Sequence, residues 1–274
     1  MTSDQDRLTE YIETWRSAAA DVLALLRSLD EEDWARPTDL PGWDVHAVAA
    51  HLAHLESELS GVAQREVEVP ELAHVGAPTG TYTESGVIAR KDLSGSEIAD
   101  ELERAVETRD RWLRANPPSD PGAVPELTPG GIGWSWETLL RNRPFDLWMH
   151  EQDIRRAVGR PGGMNTPGAT HSLTVLAMSF GYAVGKRVAP PVGTTVVADV
   201  TGVHPVHLAV EVDAGGRAVP PTETPSEPDV HLRMDAETFV VLGGGRRPVD
   251  AVDVAITGDE QLGRAVLEAL AVTP

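Results

Sequence analysis

The stretch "RPFDLWMHEQDIRRAVGRP", residues 143 to 161, sets one histidine, three carboxylates and four arginines within nineteen positions, on a background that is apolar in its first half. Asp146 and His150 are four residues apart, so on a helix their side chains share a face and reach a common point. A further histidine comes from "VHAVAAHLAHLESELSGVAQ", where Val48, Leu52, Leu55 and Leu59 mark an apolar stripe. At about 100° per residue His51 lies at the flank of that stripe, turned toward the core, while His54 lies further out and His46 near the opposite side. Two imidazoles and a carboxylate suit zinc, nickel, iron or cobalt, and three protein ligands leave positions open for water or substrate. Spacing alone leaves a second reading open, in which His51 is a core histidine with its hydrogen bonds satisfied and the Asp146 and His150 pair is incidental. Asp153 either fixes the tautomer of His150 through its second ring nitrogen or pairs with Arg156. His54 and Glu58 read as solvated surface or as the rim of a cavity, and Glu151, Arg155 and Arg156 as a charged outer face and helix end.

Composition narrows the chemistry. The 274 residues carry 23 Lys plus Arg against 43 Asp plus Glu, a formal charge of -20, which would repel a phosphate backbone and argues against nucleic acid as a partner. There is no cysteine, so any thiol chemistry must import its sulfur. The acidic N-terminal stretch and the lack of an apolar run near 20 residues point away from a signal peptide or a membrane span and toward a cytoplasmic protein.

The elements that must position these residues are legible in part. Leu8, Tyr11, Ile12, Trp15, Ala19, Val22 and Leu26 predict a helix over 4–28. Asp44 is placed to cap a second helix running to about residue 64, and a proline-rich loop follows near 70–80. Ser94 and Glu97 form a capping box for a third long helix. A fourth runs from about Trp134 to Val158, with Pro144 either kinking it or marking its restart. Four helices with loops of moderate length predict a bundle over 1–165. From 166 to 274 an apolar helix, "HSLTVLAMSFGYAVGKRV", precedes Val- and Thr-rich segments with a Gly-Gly turn, and Asp235 and Asp259 are placed to cap two further helices. The expected class is α+β: a four-helix bundle and a small α+β domain with an antiparallel sheet.

At "LPGWDVHAVAAHLAHLE" and "RPFDLWMHEQDIRRAVGRP" the chain resembles the mycothiol-dependent maleylpyruvate isomerase family, and "LGGGRRP" with "ITGDEQLGRAVLEAL" is similar to that family's C-terminal domain, itself like sterol carrier protein type 2. The resemblance implies a DinB-like metal-binding bundle with His51, Asp146 and His150 as ligands of a divalent metal, zinc foremost. Where better characterised members carry Glu, this chain has Asp146, one methylene shorter. It also implies mycothiol as thiol cosubstrate, a small electrophilic substrate undergoing isomerisation or S-transfer, and arginines that hold an acidic substrate, for which Arg90, in the connection before the third long helix, and Arg246 are the candidates. A monomer or homodimer is expected. The rival readings are a noncatalytic metal- or apolar-ligand carrier, with "LTVLAMSFGYAV" lining a cavity, and a DinB-like metal-dependent hydrolase acting without thiol.

Overall fold

Capping residues fix where the helices begin. In the computed structural model, which describes residues 3–76 and 78–272, Ser3 and Asp6 form a reciprocal capping box at the start of α1 (Asp4–Arg27). Asp44 accepts from the Ala47 N–H at 2.8 Å to open α2 (Val45–Leu59). Ser94 and Glu97 do the same for α4 (Gly95–Ala115), and Ser135 caps α5 (Trp136–Val158). Each cap satisfies N–H groups that the first helical turn cannot pair internally.

Helix α2 ends five residues short of the predicted limit because Gly61 turns left-handed, at φ 88°, and the Val62 N–H closes back on the Ser57 carbonyl. A further helix, α3 (Pro78–Arg90), emerges from the predicted loop, with Pro78 at a position where its missing N–H costs nothing. Helix α5 passes through Pro144 without restarting and stops at Gly159, which is left-handed at φ 66°.

Leu8, Trp15 and Val22 of α1, Val48 and Leu52 of α2, Ile98 and Leu102 of α4 and Leu140, Leu147 and Ile154 of α5 are fully buried in one core. Helix α1 packs on α4 and α5, and α2 packs on α4, α5 and α3. The result is the four-helix bundle, α1, α2, α4 and α5, with α3 laid against α2.

The chain divides into two compact units between Ala169 and Thr170. In the second, α6 (Pro167–Tyr182) leads through a wide helical turn into β1 (Thr195–Thr201), β2 (Val206–Val212), β3 (Ala218–Val219) and β4 (Val230–Asp235), then α7 (Ala236–Gly243), β5 (Ala255–Gly258) and α8 (Glu260–Ala269). Asp235 and Asp259 cap α7 and α8. The sheet runs β3-β2-β1-β4-β5, antiparallel in three pairings and parallel between β1 and β4. Val196, Ala198 and Val200 of β1 and Leu232 and Met234 of β4 line the buried face, with α7 packed on β1 and β4 and α8 on β4 and β5. On the opposite face Asp199 sits between His207 and His231, 2.7 Å from each.

Candidate metal centre

Three side chains from two helices meet in the bundle. His51 from α2 and Asp146 and His150 from α5 each offer a ligand atom, all within 4.8 Å of one another, and among the described residues no other group of three His, Asp or Glu does so. His51 Nε2 stands 3.6 Å from Asp146 Oδ2, and His150 Nε2 3.6 Å from Asp146 Oδ1. Two donors held about 2.0–2.1 Å from one tetrahedral ion are separated by about 3.4 Å, close to the 3.6 Å between each histidine and the Asp146 oxygen it faces, so the three side chains could close on a cation.

His51 is buried, and among the described residues neither of its ring nitrogens has a hydrogen-bond partner. A buried imidazole normally finds one, because leaving both nitrogens unpaired costs desolvation with no return. A cation held by Nε2, the nitrogen that faces Asp146, would satisfy one of the two. Burial pulls the His51 pKa down to about 4, against an opposing pull from Asp146, so at neutral pH the ring is uncharged and one of its nitrogens keeps a lone pair for a metal. Burial also pushes the Asp146 carboxyl upward, but the Arg143 guanidinium and the facing imidazoles outweigh it and hold the group ionised far below the usual carboxylate range. The Asp146 side chain is 21 % exposed against 5 % for His51 and 9 % for His150, so the approach from solvent runs past the carboxylate.

The supporting contacts differ between the ligands. His150 Nδ1 lies 3.0 Å from Asp153 Oδ2, which directs the other ring nitrogen at the centre. Asp153 is fully buried and also accepts from Arg156, which reaches on to Asp39 at 3.2 Å. The two roles weighed for Asp153 therefore coexist. Asp146 Oδ2 accepts from Arg143 Nη1 at 3.0 Å. Arg143 in turn donates through Nε to Glu56 at 3.0 Å, and Glu56 also accepts from Arg109 at 2.8 Å and from the Trp15 indole at 3.1 Å. Glu56 and Arg143 are almost completely buried. Burial drives the Glu56 carboxyl up, but the two guanidiniums overcome it and keep it ionised. His51 has only packing: the Trp43 ring lies 5.1 Å from it and 6.3 Å from the His150 ring. Trp43 is held by its indole N–H, 2.8 Å from Glu84 of α3.

Several expectations change. Glu151 is fully buried with Arg155 2.7 Å away, so it does not belong to a charged outer face. His54 is 3 % exposed rather than solvated; Gly86 of α3 admits it, since a Cβ there would stand 2.2 Å from the His54 ring. Glu58 accepts from the Tyr82 hydroxyl and from the Gly130 N–H. Arg90 is not in a connection but ends α3, where it is buried and held by Glu101, Gln64 and the Gly86 carbonyl. Arg246 lies in the second unit just after α7 and donates to the Gly244 carbonyl. A groove of about 490 Å³ between α2 and α4, lined by Ser57, Glu97, Asp100, Glu101 and Arg104, contains none of the three central residues.

The sequence reading missed Glu56, Arg143 and Arg109. One signal was present: at about 40° from Leu52 on the helical wheel, Glu56 falls inside the apolar stripe of α2, where a carboxylate demands a buried partner. The partners themselves lie 53 and 87 residues away, beyond any local pattern.

Residues 15–155 match the profile described as the mycothiol maleylpyruvate isomerase N-terminal domain, and residues 170–265 match the C-terminal domain of the same isomerase. The chain belongs to the mycothiol maleylpyruvate isomerase family. Two solved structures share its fold: a mycothiol-dependent maleylpyruvate isomerase, with a TM-score of 0.57, and a histidine-to-alanine mutant of such an enzyme, with a TM-score of 0.56. Each is 18 % identical to this chain, with 94 % of this chain and 96 % of the other covered. Among curated proteins none matches. Among the described residues, no helix is long and apolar enough to cross a membrane.

Proposed function

We propose that this family member is a metal-dependent enzyme that uses an external low-molecular-weight thiol, mycothiol by family, to isomerise or transfer sulfur to a small electrophile. The observation that carries the reading is the His51, Asp146 and His150 triad in a chain without cysteine. Two imidazoles and one carboxylate fit a borderline divalent ion, zinc before nickel, iron or cobalt. When bound, such an ion lowers the pKa of a coordinated thiol and leaves a thiolate at neutral pH.

The chain's own residues prepare that chemistry. His51 and His150 turn a ring nitrogen toward Asp146; Asp153 orients His150, and Arg143 holds Asp146 ionised and in place. Trp43 packs beside both rings and keeps water from their faces. For isomerisation the thiolate adds to a conjugated carbon–carbon double bond, rotation occurs about the resulting single bond, and elimination of the same thiolate restores the double bond, so no atom is gained or lost. Arg90, tied to Glu101 and Gln64, is proposed to act by positioning.

Metal analysis of the purified protein and of His51→Ala and His150→Ala, with mycothiol-dependent maleylpyruvate isomerisation measured in parallel, tests the reading. Near-stoichiometric metal in the wild type, lost with activity in both variants, is expected. Full metal in both variants overturns the site. Turnover of ester or amide substrates without thiol overturns the thiol role in favour of hydrolysis, and copurified lipid with no turnover favours the carrier.

A further inference from the structure

His54 sits one turn beyond His51 on α2 and takes no part in the triad. Its ring is buried, Nδ1 lies 2.9 Å from Gln64 Oε1, and among the described residues Nε2 is buried with no partner. The tautomer follows from the neighbours. Gln64 Oε1 also accepts from Arg90 NH2 at 2.9 Å, and Gln64 Nε2 donates to the Val62 carbonyl at 2.8 Å. Arginine can only donate, so the atom it meets is the amide oxygen, and an oxygen that only accepts requires His54 Nδ1 to carry the proton. Nε2 is then left with a lone pair in a buried place, where an unpaired acceptor costs free energy. Arg90 is itself fixed by Glu101 at 3.0 Å and by the Gly86 carbonyl at 3.1 Å, so the orientation is imposed by a chain of three residues.

The direction of that lone pair matters. Gln64 follows the C-terminal end of α2, and Nδ1 faces it; the other ring nitrogen diverges from it. Side chains on a helix lean toward the N-terminal turn, which here carries His51. The Tyr82 ring, 5.0 Å away, and Gly86 of α3 confine the imidazole from the side. His51, His54 and Glu58 thus form a polar stripe along one flank of α2, with His54 about one helical rise of 5 Å from the metal ligand.

We infer that His54 is a ligand-positioning residue whose Nε2 accepts a hydrogen bond from an O–H or N–H group of the thiol cosubstrate, close to its sulfur, and that Arg90 serves the site by fixing this tautomer through Gln64. The inference rests on the thiol reading above. It gives Arg90 a function that needs no contact with substrate, and it predicts that simple alkyl thiols lacking a donor bind without help from His54.

Calorimetric titration of the zinc-loaded protein with mycothiol tests it, comparing wild type, His54→Phe and His54→Gln. Phenylalanine fills the space without an acceptor, and glutamine can place an amide oxygen near the Nε2 position. His54→Phe is expected to bind mycothiol about 10- to 100-fold more weakly, with metal content unchanged, and His54→Gln to recover most of the loss, while ethanethiol binds all three within about 2-fold. Proton-coupled nitrogen spectra of the wild type should show Nδ1–H, and Gln64→Leu should shift the ring toward Nε2–H. Equal mycothiol affinity in wild type and His54→Phe overturns the inference and leaves the thiol reading standing, as does an Nε2–H tautomer in the wild type. Failure of the zinc-loaded wild type to bind mycothiol overturns the thiol reading, and the inference falls with it.

Discussion

Replacing Glu56 by glutamine should unlatch the charge network behind the centre while leaving its volume filled. Glu56 is fully buried and accepts from Arg109, Arg143 and the Trp15 indole. Glutamine keeps one acceptor oxygen but loses the charge, and its amide N–H group must face a guanidinium that also only donates. Arg143 then keeps the carboxylate of Asp146, while buried Arg109 loses its charged partner. Breaking one partner of a buried ion pair costs about 3–5 kcal/mol, because the charge left behind cannot recover its hydration. At about 2–4 °C per kcal/mol for a unit of this size, the first unit should melt about 6–20 °C lower. The pH dependence has a definite sign: the folded pKa of Glu56 is lowered, so its contribution is present above the unfolded value of about 4.3 and is lost as pH falls below it. Glu56→Gln should therefore flatten the acid side of the stability curve as well as lower it. Asp100→Asn is the control, since Asp100 and Arg27 are 47 % and 41 % exposed and an exposed pair contributes about 0–1 kcal/mol. Urea unfolding between pH 3 and 7 reads all three proteins. A Glu56→Gln protein within 1 kcal/mol of wild type at pH 7, with an unchanged acid limb, would refute the reasoning.

Further outcomes follow from the same contacts. His51→Leu removes two unpartnered buried nitrogens, so the metal-free variant should match or exceed metal-free wild type in stability, whereas zinc at 100 times Kd should stabilise wild type by about 2.7 kcal/mol and the variant not at all; thermal melts with and without zinc check both. Asp153→Asn weakens both the support of His150 and the pairing with Arg156, and should weaken zinc binding by about 10- to 100-fold alongside a lower melting temperature, as read by competition with a chromophoric chelator and by thermal melts. Gly86→Ala should destabilise by about 1–3 kcal/mol although alanine favours helix, because its Cβ would meet the His54 ring at 2.2 Å; a melting temperature above wild type would show that His54 is not packed as described.

Local signals carried most of the helical frame. Asp44, the Ser94 and Glu97 pair, Asp235 and Asp259 are caps whose partners lie three residues away, and such contacts are written in sequence order. Asp146 and His150 were legible for the same reason, and His51 because the apolar stripe of α2 gave it a direction. Helix α3 was not. "PTGTYTESGVIAR" holds two glycines, three threonines and a valine beside an isoleucine, and no clear stripe, so its intrinsic helix propensity is low. It is held by tertiary contacts: Tyr82 to Glu58, Glu84 to Trp43, and Arg90 to Glu101. The burial of Glu56, Glu151 and Arg143 was illegible on the same grounds, because a charge pattern looks alike whether its partner is water or a guanidinium from a distant helix.

The centre is asymmetric, and the asymmetry says how it works. On α5 both ligands are backed by ionised chains: Asp146 by Arg143, Glu56 and Arg109, and His150 by Asp153 and Arg156. These chains persist without a metal, so two ligands are held before binding and their ordering entropy is already spent in folding. On α2, His51 has only packing against Trp43 and His150, and its nitrogens are unpaired until something binds. A cation therefore gains most at His51, where it relieves a buried polar group, and gains geometry at Asp146 and His150, where the frame is preset. The shorter Asp146 fits this division. Its carboxylate is oriented by Arg143 while facing the two imidazoles. Loss of His51 should thus abolish binding while sparing the fold, and loss of Arg143 or Glu56 should harm the fold first and binding through it.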